Sequence, residues 1–213
     1  MNRRLIMMRH GQTTYNAGRR MQGQLDTKLS SEGLSQARTA ANWVVGMGIT
    51  KIISSDLSRA RTTAEIIGEK LGLDVELDPR LRETHLGAWQ GLTHQEVDES
   101  FVGARAAWRH DPAWAPPEGE SRLDVAERAR PVVDKLMCDA DWDDSAVLLV
   151  AHGGTISALT SNLLGLEHSQ YPLLKGLNNT HTSQLSARPR LGGDGSWDDA
   201  QWYLEAWNQG AVS

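Results

Sequence analysis

An α/β fold in three layers, with a mostly parallel sheet between two layers of helices, is what the order of patterns along this chain predicts. Three observations carry that prediction. LIMM at 5–8, KIISS at 51–55 and AVLLVA at 146–151 are short apolar runs of the kind a strand covered on both faces requires. Between them lie segments with apolar residues at helical spacing, and βαβ alternation favours parallel pairing. The first and third runs also end directly in histidine and glycine, as RHG at 9–11 and AHGG at 151–154.

Each element has its own signal. SSEGLSQARTAANWVVGMG predicts a helix over 30–48, with Ser30 or Ser31 as N-cap, Leu34, Ala37, Ala41, Val44 and Val45 directed to one face, and Gly46 or Gly48 ending it. KIISS is the second strand, SRARTTAEIIGEKLG the second helix, and DVELD at 74–78 a short third strand. From about 93 to 120 the pattern loosens into short helical pieces ending in PAWAPPEGES, an insertion expected to lie over the sheet. Ser121 with Asp124 forms a capping box opening a helix to about 138, with Val125, Ala129, Val132, Val133 and Leu136 inward. After AVLLVA come a helix to Leu164 and Gly165, then two strands near 181–187 and 200–207. The last, AQWYLEAW, is placed as a sheet edge able to pair across a two-fold axis in a homodimer.

With 213 residues the chain is expected to form one domain. Its net charge of -5 offers no basic stripe for nucleic acid or anionic lipid. An anionic small molecule must therefore be held by a local cluster. Cys138 is the only cysteine, so no disulfide forms within the chain, and the four-residue apolar run near the start is too short for a signal sequence or membrane span. A cytoplasmic location is expected.

Ligands of parallel α/β sheets gather at the carboxyl ends of strands. His10 and His152 are placed at two such ends, and the glycines after them, Gly153 included, let backbone N–H groups approach an anion. Arg59 falls in the first turn of the helix after KIISS, although Arg61 is a rival and an ion pair with Glu65 or Asp56 is the plainer role for an arginine there. Arg9, Arg59 and helix N-terminal amides then make a pocket for a phosphoryl group. Glu83, on the loop LRETHLGAWQG, supplies a carboxyl, with His85 as a competing base. Two histidines, two arginines and a glutamate suffice for phosphoryl transfer: His10 attacks phosphorus, Glu83 protonates the leaving oxygen, and Arg9, Arg59 and His152 stabilise the equatorial oxygens. No two histidines stand four apart as a ligand pair, Gly-Lys of a P-loop is absent, and Cys138 lacks the arginine of a cysteine phosphatase loop. No metal and no cofactor are expected.

RHG, Asn16, SSDLSRARTTA, Glu83 in LRETHLGAWQG, and AHGG resemble, in that order, the histidine phosphatase (phosphoglycerate mutase-like) superfamily. The resemblance implies a three-layer α/β/α fold, a phosphohistidine at His10, an acid/base role for Glu83, and phosphate contacts from Arg9, Asn16, Arg59 and His152. RLIMMRHGQTTYNAGRRMQGQLDTKLSSEG, LRETHLGAWQGLT and APPEGESRLDVAERARP are similar to the actinobacterial glucosyl-3-phosphoglycerate phosphatases of that superfamily. That branch implies phosphate release from a glucosylated glycerate, with Gln22 and Gly23 near the substrate. A phosphoglycerate mutase, a broad-range or α-ribazole phosphatase, and a non-catalytic phosphate-ester binder are the alternatives. Trp108 and Trp114 are candidates for stacking on a sugar ring, and Arg105, Arg109 and Arg122 for a glycerate carboxylate.

Overall fold

A computed structural model describes residues 2–190, 197 and 199–211. The strands are β1 (Arg3–Arg9), β2 (Ile49–Ser54), β3 (Val75–Leu77), β4 (Ala146–Ala151), β5 (Thr182–Arg188) and β6 (Gln201–Gln209). They form one sheet in the order β3-β2-β4-β1-β5-β6. The four strands from β3 to β1 are parallel, while β5 and β6 are antiparallel to their neighbours. The helices are α1 (Thr14–Ala17), α2 (Ser31–Trp43), α3 (Ser58–Leu71), α4 (His94–Ser100), α5 (Ala104–His110), α6 (Arg122–Met137) and α7 (Gly153–Leu163).

The period-two pattern of the strands divides the core. Leu5, Met7, Val147, Leu149 and Ala151 face one layer, where they meet Val132, Val133 and Leu136 of α6 and Ile156 and Leu159 of α7. Ile6, Met8, Ala146, Leu148 and Val150 face the other, against Ala40 and Ala41 of α2 and Ala60, Ala64 and Ile67 of α3. Covering a strand on both faces this way requires the continuous apolar runs seen in β1 and β4.

Several boundaries differ from the sequence expectation. α2 ends at Trp43 rather than 48, because Gly46 and Gly48 adopt positive φ and turn the chain out, which leaves Val45 53% exposed instead of inward. β1 begins at Arg3 rather than Leu5. Arg3 is buried there because its guanidinium binds Asp143 at 2.7 Å and lies 4.1 Å from the Trp197 ring centroid. A charged group pairs into a strand when both its charge and its stem are accommodated.

The stretch from 93 to 120 folds as α4 and α5 with the connections around them. Their apolar residues join Met21, Leu86 and Trp89 in a separate small cluster. Trp108 meets Trp89 edge-on at 5.9 Å, and Trp114 packs on Trp89 at 5.4 Å. β6 stands at the edge of the sheet, as the terminal pattern indicated. Among the described residues no helix is long and apolar enough to cross a membrane.

Candidate active site

Strand order brings the two histidines together. β4 lies directly beside β1, with Arg9 opposite Ala151, so the residues leaving these strands, His10 and His152, emerge side by side. Their ring centroids are 5.1 Å apart, and both rings are buried. His10 is held through its main chain: its N–H donates to the Ala151 carbonyl and its own carbonyl accepts from Asn179 Nδ2 at 2.9 Å.

The tautomer of His10 follows from one contact. Nδ1 lies 2.7 Å from the Gly11 carbonyl oxygen, which only accepts, so Nδ1 carries the hydrogen and Nε2 the lone pair. Burial, then the charges of Arg59 and Arg9, push this imidazole well below the ordinary histidine value, against the opposing pull of the Gly11 carbonyl. His152 is displaced in the same direction by burial, then by Arg59, His10 and Arg9. Its Nε2 lies 2.9 Å from Ser55 Oγ.

Both imidazoles are therefore neutral at pH 7, and the sign of the consequence is fixed. Unfolded histidines titrate near pH 6.5. Below that value the unfolded chain binds protons that the folded chain refuses, so stability falls as pH falls. Each histidine contributes a slope of about 1.4 kcal/mol per pH unit until its folded-state value is reached. Urea midpoints between pH 7 and 5, above the range where carboxylates dominate, should drop accordingly. A flat profile there would contradict the neutral, buried state of the pair.

Arg59 projects from the first turn of α3 into the same region. Its Nη1 and Nη2 hydrogens donate to the Leu25 and Gly23 carbonyls, each at 2.7 Å. Burial pulls it down to about 10, with Glu83 and Asp26 opposing, so it remains charged at neutral pH. Arg61, the rival on the same helix, points elsewhere and pairs with Glu65 at 3.4 Å. Arg9 is likewise lowered by burial with Glu83 opposing, and its Nη1 donates to the Leu177 carbonyl at 2.6 Å. Arg9 Nε, Arg59 Nε and His152 Nδ1 are all buried without a hydrogen-bond partner. Buried polar groups are nearly always paired, and the two arginine Nε–H groups beside His10 are donors suited to an anion.

Glu83 docks on the N-terminus of α7. Its carboxyl oxygens accept from Thr84 N at 2.8 Å and from Gly154 N and Thr155 N at 3.2 Å. The Gly154 and Thr155 amides in the first turn of α7 thus serve Glu83. The glycine pair acquires a different reason as well. A Cβ on Gly154 would stand 2.5 Å from Glu83 Oε1, whereas one on Gly153 would meet Arg9 only at an ordinary 3.7 Å.

A cavity of about 170 Å³ joins these groups, lined by Arg9, His10, Asn16, Gln22, Gly23, Arg59 and Glu83 among the predicted residues. His152 is not among the lining residues, although its ring centroid is 5.1 Å from that of His10, and Gly154 takes the wall position expected of Gly153. Asn16 has two functions here: it lines the cavity, and its Oδ1 accepts from Thr13 N at 3.1 Å in the capping box of α1. Gln22 is fixed by Thr13 and Thr27, whose hydroxyls donate to its Oε1 at 2.8 and 2.5 Å. His85 is occupied elsewhere, its Nδ1 3.1 Å from the Glu118 carbonyl.

Arg20, Met21, Thr84 and Leu86 also line the cavity and escaped the sequence reading. They flank residues that were found, but carry no motif of their own. Trp108 lines it too, whereas Trp114 is absorbed into the packing on Trp89. Of the three arginines considered there, Arg105 pairs with Asp98 at 3.1 Å and Arg122 lies 5.5 Å from the Trp108 centroid. Arg109 lies in the last turn of α5 and is not part of the wall.

The chain resembles known proteins over nearly its whole length. The family model described as "Histidine phosphatase superfamily (branch 1)" matches residues 5–209. A glucosyl-3-phosphoglycerate phosphatase of Mycolicibacterium vanbaalenii is 52% identical over 98% of this chain and 96% of its own length. A probable phosphoglycerate mutase of Escherichia fergusonii is 35% identical over 95% of this chain and 89% of its own. The solved structure of a mycobacterial glucosyl-3-phosphoglycerate phosphatase complexed with VO3 superposes with a TM-score of 0.90 at 50% identity, covering 97% of this chain and 98% of that one. With the family match running through every strand of the sheet and through both histidine-glycine turns, the chain belongs to the histidine phosphatase superfamily.

Proposed function

We propose that the protein hydrolyses phosphate monoesters through a phosphohistidine on His10 Nε2, and that its substrate is glucosyl-3-phosphoglycerate. One observation carries the chemistry: His10 is neutral, with its lone pair on the nitrogen opposite the Gly11 contact, and it shares the cavity with Arg9 and Arg59, whose buried Nε–H groups have no partner. The lone pair forms the N–P bond as the P–O bond to the alcohol breaks, and Glu83 gives that oxygen its proton. Water then attacks phosphorus, Glu83 takes its proton, and the N–P bond breaks to release phosphate. Arg9, Arg59 and His152 stabilise the charge that builds on the equatorial oxygens in both steps.

The substrate assignment is supported by the activity named for relatives about half identical over their whole length, and by the cavity's second wall. Met21, Leu86 and Trp108 line the same cavity as Arg9, His10 and Arg59, a mixed lining that suits an ester carrying a sugar. Arg20, which lines the cavity and donates through Nη1 to the Gly91 carbonyl at 2.8 Å with Glu96 3.8 Å away, is the cation nearest to hand for a carboxylate.

The deciding experiment is a phosphate-release screen over glucosyl-3-phosphoglycerate, 3-phosphoglycerate and α-ribazole phosphate, with EDTA throughout. We expect the glucosylated ester to give the highest kcat/KM, with EDTA without effect, and a brief pulse of labelled ester to leave acid-labile, base-stable label on the protein. Preference for another ester would remove the substrate assignment. Isomerisation of a phosphoglycerate without phosphate release would select a mutase.

A further inference from the structure

Residues 82–86, which carry Glu83, belong to no helix or strand. Thr155 Oγ1 donates to the Arg82 carbonyl at 2.7 Å, Gln24 Nε2 donates to that of Glu83 at 3.1 Å, and Asp56 binds the Arg82 guanidinium. The loop is held further by side chains from APPEGESRLDVAERARP, a stretch absent from the cavity wall. Arg128 of α6 donates through Nη1 to the carbonyls of Arg80 at 2.7 Å and Arg82 at 3.1 Å, and through Nη2 to that of Glu83 at 3.4 Å. The same guanidinium binds Glu120 bidentately, Nε to Oε1 and Nη2 to Oε2, both at 2.8 Å. Glu120 Oε2 in turn accepts the His85 N–H at 2.8 Å. One ion pair thus grips the loop on both sides of Glu83.

Close backbone approach seats the pair. The Glu120 N–H donates to the His85 carbonyl at 2.8 Å and the Ala88 N–H to the Pro117 carbonyl at 3.0 Å. A Cβ on Gly87, at φ +49°, would stand 2.0 Å from the Pro117 oxygen, and one on Gly119 would stand 2.6 Å from the His85 oxygen. The two glycines let the segments interlock. Burial would raise the Glu120 carboxyl, but the hydrogen bonds from Arg128 and the His85 N–H outweigh it, and the group titrates below the usual range.

We infer that Arg128 and Glu120 are positioning residues for Glu83, a clamp holding its carboxyl at the distance proton transfer to the leaving oxygen requires. The inference rests on the proton-donor reading of Glu83. Displacement of a reacting group by about 1 Å can cost on the order of 100-fold in rate.

The test compares kcat/KM for glucosyl-3-phosphoglycerate, whose alkoxide needs a proton, with that for p-nitrophenyl phosphate, whose phenolate leaves largely without one. Arg128→Met keeps the stem and removes every hydrogen bond. It should lower the alkyl-ester value by about 100-fold, change the aryl-ester value far less, and add nothing in a Glu83→Gln background, because coupled residues are non-additive. Arg128→Lys should recover part of the loss, since an ammonium can reach a carbonyl but cannot bridge Glu120 bidentately. If Arg128→Met does not fold, judged by its urea midpoint, Glu120→Gln is read in the same way.

Equal losses on both esters, full additivity with Glu83→Gln, or a folded Arg128→Met of wild-type activity would overturn the clamp. Should Glu83→Gln itself depress both esters equally, the proton-donor reading falls, and the function of the clamp with it.

Discussion

A His10→Ala variant is expected to lose turnover by on the order of 10⁵- to 10⁶-fold, the scale at which loss of a covalent nucleophile is measured in hydrolases. The remaining pocket cannot compensate. His152, the other imidazole, has its Nε2 engaged 2.9 Å from Ser55 Oγ. The variant should also take up no acid-labile label. Because the His10 ring is buried, removing it leaves a void and lowers stability as well. Phosphate release is therefore measured at a temperature where the urea midpoint shows the variant folded. Wild-type turnover, or undiminished label, would end the case for His10 as nucleophile.

Glu83→Gln should cost about 10²- to 10⁴-fold in kcat/KM on a sugar phosphate, the range attributed to a positioned proton donor. The substitution keeps the volume but loses the proton to give. It also sets an amide NH₂ among the N–H donors of Thr84, Gly154 and Thr155, where one carboxyl oxygen formerly accepted. A variant in which the poor and the good leaving group suffer alike would instead assign Glu83 to holding α7 in place. Steady-state rates on the two esters, measured side by side, separate these outcomes.

Much of this site was legible because its parts are local. The turns RHG and AHGG and the arginine one residue into α3 each sit where a strand ends or a helix begins, and the carboxylate in LRETHLGAWQG stands on the loop after β3. Those positions are set by short-range patterns. The capping box of Ser121 and Asp124 is another local device, and it forms as expected, with Ser121 Oγ accepting from Asp124 N at 3.1 Å. Arg20, Met21 and Thr84 lacked any such signal, since they line the cavity only by virtue of their neighbours. The clamp was invisible for the same reason: Arg128 reads as one more arginine on an amphipathic helix until the carbonyls of residues 80–83 are placed beneath it.

By itself the sequence determined which segments are strands covered on two faces, which helices have an apolar side, and which chemical groups stand at their ends, because backbone preference and the burial of alternating side chains act over a few residues. Tertiary structure alone decided that β4 inserts between β2 and β1, which puts His152 beside His10, and that the Gly154 and Thr155 amides of α7 bind Glu83. Strand order is chosen by the packing of α2 and α3 on one face against α6 and α7 on the other. Packing of that kind joins residues more than a hundred positions apart, and no local pattern records it.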